Sequence, residues 1–354
     1  MKIKNVRQPR ILIIYTGGTI GMIENPETEA LQPFDFNHLI DNVPKLKMLN
    51  YVIESYSFSP PIDSSDMHPD HWKQIAKVME ANYHLYDGFV ILHGTDTMAY
   101  TASALSFMLE NLRKPVIITG SQLPIGEVRT DGEENLITAV QIAAALDRHG
   151  DPMVQEVAIL FENYLWRGNR ATKRAAENFN AFKSHNYPSL AKIGLYINFD
   201  EDALYRHHDS LPFRVNYGLD DSIVVVDLYP GLRREALHHL LATPGTKGVV
   251  FRSFGAGNGP TASWFREELQ EATARGLLLL NVTQCAAGSI APGRYEAGEA
   301  LVKNGIVPGY DITTEAAIAK MMFLFGQGFD VREVARRLPV PICGEMTVPA
   351  NDEM

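Results

Sequence analysis

Short apolar runs alternate with longer segments of helical periodicity along most of the chain. A continuous apolar run bounded by turn residues is typical of a buried parallel strand. Such runs occupy Ile11–Ile14, Tyr51–Phe58, Asp87–His93, Lys114–Gly120, Glu156–Phe161, Ile223–Leu228, Gly248–Phe251 and Leu277–Val282. Helical spacing of apolar residues occupies Pro69–Tyr83, Thr97–Leu112, Asp131–Ala144, Arg234–Ala242, Thr261–Ala274, Thr314–Phe325 and Val331–Leu338. This alternation predicts an α/β fold in which helices cover a parallel sheet.

The alternation is interrupted by a polar, irregular stretch at residues 199–216. It contains Asp200-Glu-Asp202 and His207-His208-Asp209, a composition typical of an interdomain linker. The sequence therefore predicts two domains. Residues 1–198 form a larger N-terminal α/β domain, whose parallel or mixed sheet is flanked by helices. Residues 217–354 form a smaller, Rossmann-like C-terminal α/β domain.

Charge and cysteine content narrow the class of protein. The 354 residues include 32 Lys and Arg against 42 Asp and Glu, a net charge of −10. An acidic chain without a basic run argues against nucleic acid or an anionic membrane as the main partner. We find neither a signal peptide nor a membrane-spanning run. The only cysteines, Cys285 and Cys343, make a disulfide framework unexpected and favour the reducing cytoplasm.

Four polar clusters follow predicted strands of the larger domain. They are Thr16-Gly-Gly-Thr19, Asp63-Ser-Ser-Asp-Met67, His93-Gly-Thr-Asp-Thr97 and the loop Asn163–Lys173. Ligands of a parallel sheet bind outside the carboxyl ends of its strands, so these clusters are expected to converge. Between the first two, the polar stretch Glu24–Asp35 is expected to be a mobile loop over the sheet mouth.

Each cluster also has a structural interpretation, since hydroxyls and carboxylates are ordinary turn and capping residues. Together they supply what acyl transfer needs: a threonine nucleophile, a lysine that moves its proton, an orienting aspartate and backbone N–H donors. The glycine turn lacks the patterns of dinucleotide and P-loop sites, and no His or Cys spacing indicates zinc. His93 and the other histidines are expected to be structural or exposed. The sequence therefore predicts a hydrolase without a metal or cofactor.

The clusters resemble the signatures of bacterial L-asparaginases, and most closely those of the cytoplasmic type I branch. The matching residues are Tyr15–Gly21, Asp63–Met67, His93–Tyr100 and Arg167–Lys173, together with Thr119–Pro124 and Asn281–Cys285. The resemblance covers nearly the whole chain. It implies hydrolysis of L-asparagine to L-aspartate and ammonia by double displacement, through a threonine-linked β-aspartyl intermediate.

The resemblance also assigns roles to individual residues. Thr19 would be the nucleophile, and Thr95, Asp96 and Lys173 would form a second, proton-handling group. The substrate would be held by Asp63, Ser64, Ser65, Thr95 and Asp96. The family forms homodimers or homotetramers built as a dimer of dimers, and Asn258 matches a residue that helps the neighbouring subunit's site. Arg252, Thr283 and Cys285 match a regulatory asparagine site of some type I members. Alternatively, Cys285 is simply a small buried residue.

The sequence departs from the family in the loop after the nucleophile. Residues Met22–Phe34 contain no tyrosine, where the family has one thought to activate the threonine. Tyr15 precedes the turn and is expected to point elsewhere. Activation is then left to Thr95 and Lys173, or another residue closes the site. Activity is accordingly expected to survive mutation of the loop's aromatic residues, Phe34 included.

Three other functions stay open at this point. Glutamine has one more methylene than asparagine, a difference worth only ~1–3 kcal/mol, so a broader glutaminase-asparaginase is possible. A related amidase subunit that supplies ammonia for tRNA-linked amidation normally has an extra N-terminal domain, and only a few residues precede the first strand here. A non-catalytic amino-acid sensor on the same scaffold would be expected to lack the nucleophile, which is present.

Overall fold

The computed structural model describes residues 7–24, 31–33, 43–207, 210–290 and 305–349. The chain folds into two compact units. The larger unit comprises the described residues up to Ser184 together with Pro188–Val215. The smaller unit comprises His185–Tyr187 and the described residues from Asn216 onward.

The larger unit contains the strands and helices that carry the four polar clusters. Its strands are β1 (Arg10–Tyr15), β2 (Met22–Glu24), β3 (Leu31–Pro33), β4 (Val52–Ser57), β5 (Gly88–Leu92), β6 (Leu109–Glu110), β7 (Val116–Thr119), β8 (Val157–Phe161), β9 (Tyr164–Arg167), β10 (Thr172–Lys173), β11 (Phe182–Lys183), β12 (Ala191–Ile193), β13 (Ile197–Phe199) and β14 (Arg214–Val215). Its helices are α1 (Pro69–Asn82), α2 (Met98–Met108) and α3 (Gly132–Ala143).

Eight of these strands form one mixed sheet in the order β13-β12-β9-β8-β7-β5-β1-β4. The strands β4, β1, β5, β7 and β8 are parallel, and β9, β12 and β13 continue the sheet in antiparallel fashion. The side chains of β5 and β8 are buried along their whole length, which explains their continuous apolar sequences. Because β4, β1, β5 and β7 are adjacent and parallel, their carboxyl ends lie side by side at one edge of the sheet.

Two segments differ from the expectations for them. The predicted loop after the first strand contains a short antiparallel pair, β2 with β3. Residues 25–30 and 34–42, including Phe34, lie outside the described part of the chain. Of the segment assigned to a linker, the described residues up to Val215 belong to the larger unit, where Phe199 ends β13 and β14 pairs with β6, and Asn216 belongs to the smaller unit.

The smaller unit is a four-stranded parallel sheet with helices. Its strands are β15 (Ile223–Asp227), β16 (Gly248–Ser253), β17 (Leu278–Thr283) and β18 (Val307–Pro308), and its helices are α4 (Arg234–Leu241), α5 (Ser263–Ala274), α6 (Thr314–Gly326) and α7 (Val331–Arg337). A hydrophobic core that includes Leu237, Phe251, Phe265 and Leu279 lies between α4, α5 and the sheet. The expectation of a two-domain α/β fold is thus confirmed. Among the helices of the described ranges, none is long and apolar enough to cross a membrane.

Candidate active site

The turn after β1 fits tightly between two neighbouring loops. Gly17 and Gly18 have φ angles of +144° and +95°, in the region that favours glycine. A Cβ atom on Gly17 would lie 2.1 Å from the Ile62 carbonyl oxygen, and one on Gly18 would lie 2.5 Å from the Gly94 amide nitrogen. Because both positions must be glycine, the turn can bring Thr19 close to the loops that follow β4 and β5.

The two threonines of this turn have different surroundings. Thr16 is buried, and its hydroxyl donates to the Leu92 carbonyl oxygen over 3.0 Å. Thr19 is half-buried and opens a short 3-10 helical turn, Thr19–Gly21. Thr16 thus has a structural role, whereas Thr19 lies at the sheet edge where a ligand would bind.

Tyr15 does not point away from the turn, contrary to expectation. Its ring is buried beneath the turn, and its hydroxyl donates to the Gly21 carbonyl oxygen over 3.3 Å. A Cβ atom on Gly21 would lie 2.3 Å from the Tyr15 ring, so the two residues pack directly. Burial raises the pKa of Tyr15 to about 12, and the phenol therefore stays protonated in the physiological range.

The loop after β4 places Asp63, Ser64 and Ser65 beside this turn. The Asp63 carboxylate accepts a hydrogen bond of 2.8 Å from the Ser65 amide and begins a short 3-10 turn. Ser64 is buried, and its carbonyl oxygen accepts a 2.7 Å hydrogen bond from the Thr97 hydroxyl. Asp63 and Ser65 are exposed at the mouth, where they are accessible to a ligand.

Thr95, Asp96 and Lys173 meet although they are distant in sequence. Lys173 Nζ donates to Thr95 Oγ1 over 2.9 Å and contacts Asp96 Oδ1 at 2.7 Å. The Lys173 side chain is 20% exposed and that of Asp96 is 61% exposed, so the ion pair lies at the solvent boundary. Because the ammonium donates to its oxygen, the Thr95 hydroxyl keeps its own proton available for another acceptor.

The path of the chain to Lys173 differs from the simple loop that the sequence predicts. After β8 the chain reverses at Glu162, which has φ of +56°, and returns as the antiparallel strand β9. It then crosses the face of α2 at Gly168, where a Cβ atom would lie 3.0 Å from the Ala102 Cβ. This crossing carries Lys173 back to the edge of the sheet where α2 begins.

Beneath Thr95, a buried hydrogen-bonded chain fixes the start of the loop after β5. His93 Nδ1 lies 2.7 Å from the Gly94 carbonyl oxygen, and its Nε2 lies 2.8 Å from the Thr101 hydroxyl. Trp72 Nε1 donates to the same hydroxyl over 3.0 Å. Both nitrogens of His93 therefore have partners inside the protein, which gives this histidine the structural role expected for it.

The three candidate regulatory residues lie close together in the smaller unit. The Thr283 hydroxyl donates to the Gly255 carbonyl oxygen over 2.6 Å and accepts from the Cys285 amide over 3.0 Å. Arg252, on the neighbouring strand β16, forms an ion pair of 2.8 Å with Asp227. Cys285 is an exposed free thiol, which is contrary to the alternative that it is a buried packing residue.

Asn258 also belongs to the smaller unit. Its backbone forms a reciprocal pair with Phe254, with N–O distances of 2.8 and 3.0 Å. Gly257, just before it, has φ of +109°. The backbone of Asn258 is thus held in a tight, hydrogen-bonded turn, and its side-chain Oδ1 is buried without a hydrogen-bond partner among the described residues.

In the part of the chain that the structure describes, one group of side chains has the spacing of metal ligands. It consists of His238, Glu268 and Glu271 in the smaller unit. Arg234 Nε donates to Glu268 over 2.8 Å, and Arg275 pairs with Glu271 at 2.8 Å. Because both carboxylates are already neutralised by arginines, this group does not fit a cation well.

Comparison with known proteins places this geometry in context. Residues 10–205 match the family model described as asparaginase, N-terminal, and residues 222–338 match that of the glutaminase/asparaginase C-terminal domain. Together the two models cover the four clusters and most of both units.

Individual relatives agree over nearly the full chain. L-asparaginase 1 of Escherichia coli is 40% identical over 97% of this chain and 99% of its own length. The 60 kDa lysophospholipase of Mus musculus is 38% identical over 97% of this chain, but over only 63% of its own length. The crystal structure of L-asparaginase I from Vibrio cholerae superimposes with a TM-score of 0.88 and is 40% identical in sequence. The match covers 97% of this chain and 100% of the Vibrio cholerae chain.

Proposed function

Since the chain belongs to the asparaginase family and is an amidohydrolase of that kind, we propose that it hydrolyses L-asparagine to L-aspartate and ammonia through a β-aspartyl ester of Thr19. The observation that carries the assignment of residues is the contact of Lys173 Nζ with both Thr95 Oγ1 and Asp96 Oδ1, at 2.9 and 2.7 Å. A cation held against a hydroxyl at a sheet mouth serves proton transfer, which amide cleavage requires.

Substrate binding is assigned to the polar groups around the mouth. The carboxylates of Asp63 and Asp96 attract the α-ammonium group of the amino acid by charge. Ser64 and Ser65, with Thr95, supply donors for its α-carboxylate. Asp63 already begins a short turn, so its carboxylate is held in place before the substrate arrives. This arrangement leaves the side-chain amide of the substrate facing Thr19.

In the first half-reaction, the Thr19 oxygen attacks the carbon of the side-chain amide. Backbone N–H groups of the glycine turn stabilise the oxyanion of the tetrahedral intermediate. The C–N bond then breaks, and the proton lost by Thr19 ends on the leaving nitrogen, which departs as ammonia. Thr95 relays this proton, because its oxygen accepts from Lys173 while its own hydrogen stays available.

In the second half-reaction, a water molecule attacks the ester carbonyl carbon. Thr95 accepts a proton from the water and passes its own proton to the Thr19 oxygen as the ester C–O bond breaks, while the Lys173 ammonium donates to the Thr95 oxygen. The products are L-aspartate and the regenerated threonine. Asp96 holds Lys173 in position through both steps.

The test is ammonia release from asparagine and from glutamine by wild type, Thr19→Ala and Lys173→Met. We expect both variants to lose at least ~100-fold in kcat, the usual effect of removing a positioned proton-transfer group or nucleophile. Thr243→Ala, at an exposed threonine of the smaller unit, serves as the matched control. Unchanged ammonia release by Thr19→Ala would refute the mechanism. Binding without release by wild type would identify an amino-acid sensor instead, and equal rates on glutamine the broader glutaminase-asparaginase.

We place the working form of the enzyme in a homodimer or homotetramer, in which Asn258 of one subunit completes the site of another. The tight turn that fixes the backbone of Asn258, and the buried Oδ1 of its side chain that has no hydrogen-bond partner among the described residues, support this assignment. Mixing Thr19→Ala with Asn258→Ala subunits tests it. If sites are shared between subunits, the mixture regains activity that neither variant has alone, since one site in the hybrid has both residues. No gain after subunit exchange would contradict it.

We assign Arg252, Thr283 and Cys285 to a regulatory asparagine site. Their proximity supports this, and so does the exposure of Cys285. Asp227 already neutralises Arg252, so a ligand carboxylate would have to displace it. The measurement is the reaction rate against asparagine concentration. A hyperbolic curve that Cys285→Ser leaves unchanged would contradict the assignment.

We also infer that the protein works in the cytoplasm. Its two cysteines are free thiols, and Cys285 is exposed, as suits a reducing compartment. Fractionation of the native cells, with the ammonia-release assay as the readout, checks this. Activity recovered outside the cytoplasmic fraction would contradict it.

A further inference from the structure

Lys173 lies on a short hairpin that has little intrinsic stability. Strands β10 and β11 pair over two residues only, Thr172 with Lys183 and Lys173 with Phe182. The connecting segment is closed by hydrogen bonds from Arg174, whose amide donates to the Ala181 carbonyl oxygen over 2.7 Å. A two-stranded hairpin of this size is at best marginally stable in water, so its position must be fixed by contacts with the rest of the unit.

The side chain of Gln122 supplies such a contact. Its amide nitrogen donates to the carbonyl oxygens of Ala176 and Asn178, over 3.1 and 3.0 Å. Both hydrogens of the amide are thus used on the tip of the hairpin that carries Lys173. The two acceptors lie 54 and 56 residues further along the chain, so this is a tertiary contact and not a local turn.

The backbone of Gln122 is itself held rigidly. The Asp131 carboxylate accepts from the Gln122 amide with both oxygens, at 3.0 and 3.1 Å, and from the Leu123 amide at 3.2 Å. Asp131 directly precedes α3, but its side chain makes no capping bond to that helix and accepts hydrogen bonds from this loop instead. Burial raises the pKa of Asp131, and the hydrogen bonds from these amides oppose the rise.

The loop that contains Gln122 begins where β7, a central strand of the sheet, ends. Thr119, the last residue of β7, is buried and donates its hydroxyl to the Leu160 carbonyl oxygen over 2.8 Å. Asn135 Nδ2 donates to the Gly120 carbonyl oxygen over 3.0 Å and to Asp131 over 3.3 Å. Hydrogen bonds therefore run from the end of β7 through Asn135, Asp131 and Gln122 to the hairpin tip. The Lys173 ammonium lies at the other end of the same hairpin.

From this geometry we infer that Gln122 is a positioning residue for Lys173. Gln122 holds the hairpin in the position from which Lys173 Nζ contacts both Thr95 and Asp96. The side chain of Gln122 does not itself touch the reacting atoms. The inference rests on the proposed role of Lys173. A catalytic group displaced by ~1 Å can cost ~100-fold in rate, so loss of the two hydrogen bonds is expected to lower kcat by about 10-fold. Because Lys173 moves protons and does not bind substrate, KM should change less than 2-fold (~0.4 kcal/mol).

The experiment compares side chains of different donor capacity at position 122. Gln122→Met keeps the length but donates nothing, and Gln122→Glu is isosteric with an acceptor-only carboxylate. Gln122→Lys restores a donor that can reach both carbonyl oxygens. We expect kcat to be low in Gln122→Met and Gln122→Glu. In Gln122→Lys, kcat should recover to within about 3-fold of the wild-type value (~0.7 kcal/mol). The matched control is Gln155→Met, which removes a half-buried amide donating to the Pro152 carbonyl oxygen elsewhere in the same unit.

Several outcomes would overturn the inference. They are wild-type kcat in both Gln122→Met and Gln122→Glu, an equal loss in Gln155→Met, or failure of Gln122→Lys to recover. If Gln122→Met does not fold, the isosteric Glu variant decides. Lys173→Met separates this inference from the proposed function. An inactive Lys173→Met beside a fully active Gln122→Met refutes only the positioning role, whereas an active Lys173→Met refutes the role of Lys173 itself.

Discussion

The hydroxyl of Thr101 lies 2.8 Å from Nε2 of His93, and this contact settles the protonation of the imidazole. The Gly94 carbonyl can only accept, so Nδ1 of His93 carries the proton. The hydroxyl accepts from Trp72 and donates to Nε2. The donor and the acceptor of every hydrogen bond in this buried chain are thus fixed. A second proton, on Nε2 of His93, would remove the acceptor of the Thr101 hydroxyl. Burial accordingly lowers the pKa of His93 to about 4.

This neutral histidine should make stability depend on pH. The pKa of His93 is about 4 in the folded protein, against an ordinary value of 6.5 in the unfolded chain. The neutral imidazole therefore contributes fully to the free energy of unfolding above pH ~6.5. Below that, the unfolded chain binds the proton first, and stability falls until pH ~4, by about 3 kcal/mol at most. Denaturant unfolding of His93→Gln should show a shallower loss between pH 7 and 4.5 than wild type. His84→Gln, at an exposed position, should keep the wild-type slope; the same slope in His93→Gln would contradict the assignment.

The close approach of Gly18 to Gly94 should make substitution at Gly18 costly. Gly18→Ala adds a Cβ atom 2.5 Å from the Gly94 amide nitrogen at a φ of +95°. Gly126→Ala is the matched control, since Gly126 has φ of +110° and nothing within 4 Å of the added atom. Both variants bear backbone strain of ~1–2 kcal/mol. Only Gly18→Ala should lose more stability than that and at least ~10-fold in kcat/KM. Equal effects in the two variants would show that strain alone matters.

The Tyr15 hydroxyl is expected to support the turn that presents Thr19. Tyr15→Phe removes its hydrogen bond to the Gly21 carbonyl oxygen, worth ~1 kcal/mol, so kcat should fall about 5-fold with KM unchanged. Tyr86→Phe is the control, because Tyr86 bonds Glu54 near the opposite end of β1 and its pKa is likewise raised to about 12. A pH–rate profile should not change shape in Tyr15→Phe below pH 11, since the pKa of Tyr15 is about 12. If the alkaline limb of the pH–rate profile disappeared in Tyr15→Phe, Tyr15 would instead be a general base of the reaction.

A buried ion pair should hold the end of the chain to the smaller unit. Lys320 and Glu345 are 2.7 Å apart with side chains 0% exposed. Lys320 also donates to the Leu338 carbonyl oxygen over 2.7 Å, and Glu345 accepts from the amides of Ile342 and Cys343. Removing one partner leaves an uncompensated buried charge, which typically costs ~3–5 kcal/mol. Denaturant unfolding of Lys320→Met should show this loss, and the double variant Lys320→Met with Glu345→Leu should regain part of it. An unchanged free energy of unfolding in Lys320→Met would contradict the prediction.

Local sequence determined the helices and the main parallel strands, together with their order. Predicted strands such as Asp87–His93 and helices such as Pro69–Tyr83 agree with β5 and α1 to within one residue at each end. Side-chain periodicity depends on neighbours in sequence, so this information is present in any short window. The glycine turn at Gly17 and Gly18 was also visible, because two adjacent glycines follow the apolar run, and glycine is the residue that such turns favour. The expectation that polar clusters after parallel strands mark the site follows from topology alone.

Other features depend on contacts between segments far apart in the chain, and only the tertiary structure decided them. The antiparallel return of β9, which takes Lys173 across α2 to Asp96, joins residues 77 positions apart. The same holds for Gln122, which lies in the matching segment Thr119–Pro124 but whose side chain contacts the hairpin tip 56 residues further along the chain. Tyr15 was misjudged because its ring direction follows from packing beneath the turn. Periodicity specifies which face of an element is buried, but the partner is selected by the packing of the whole unit.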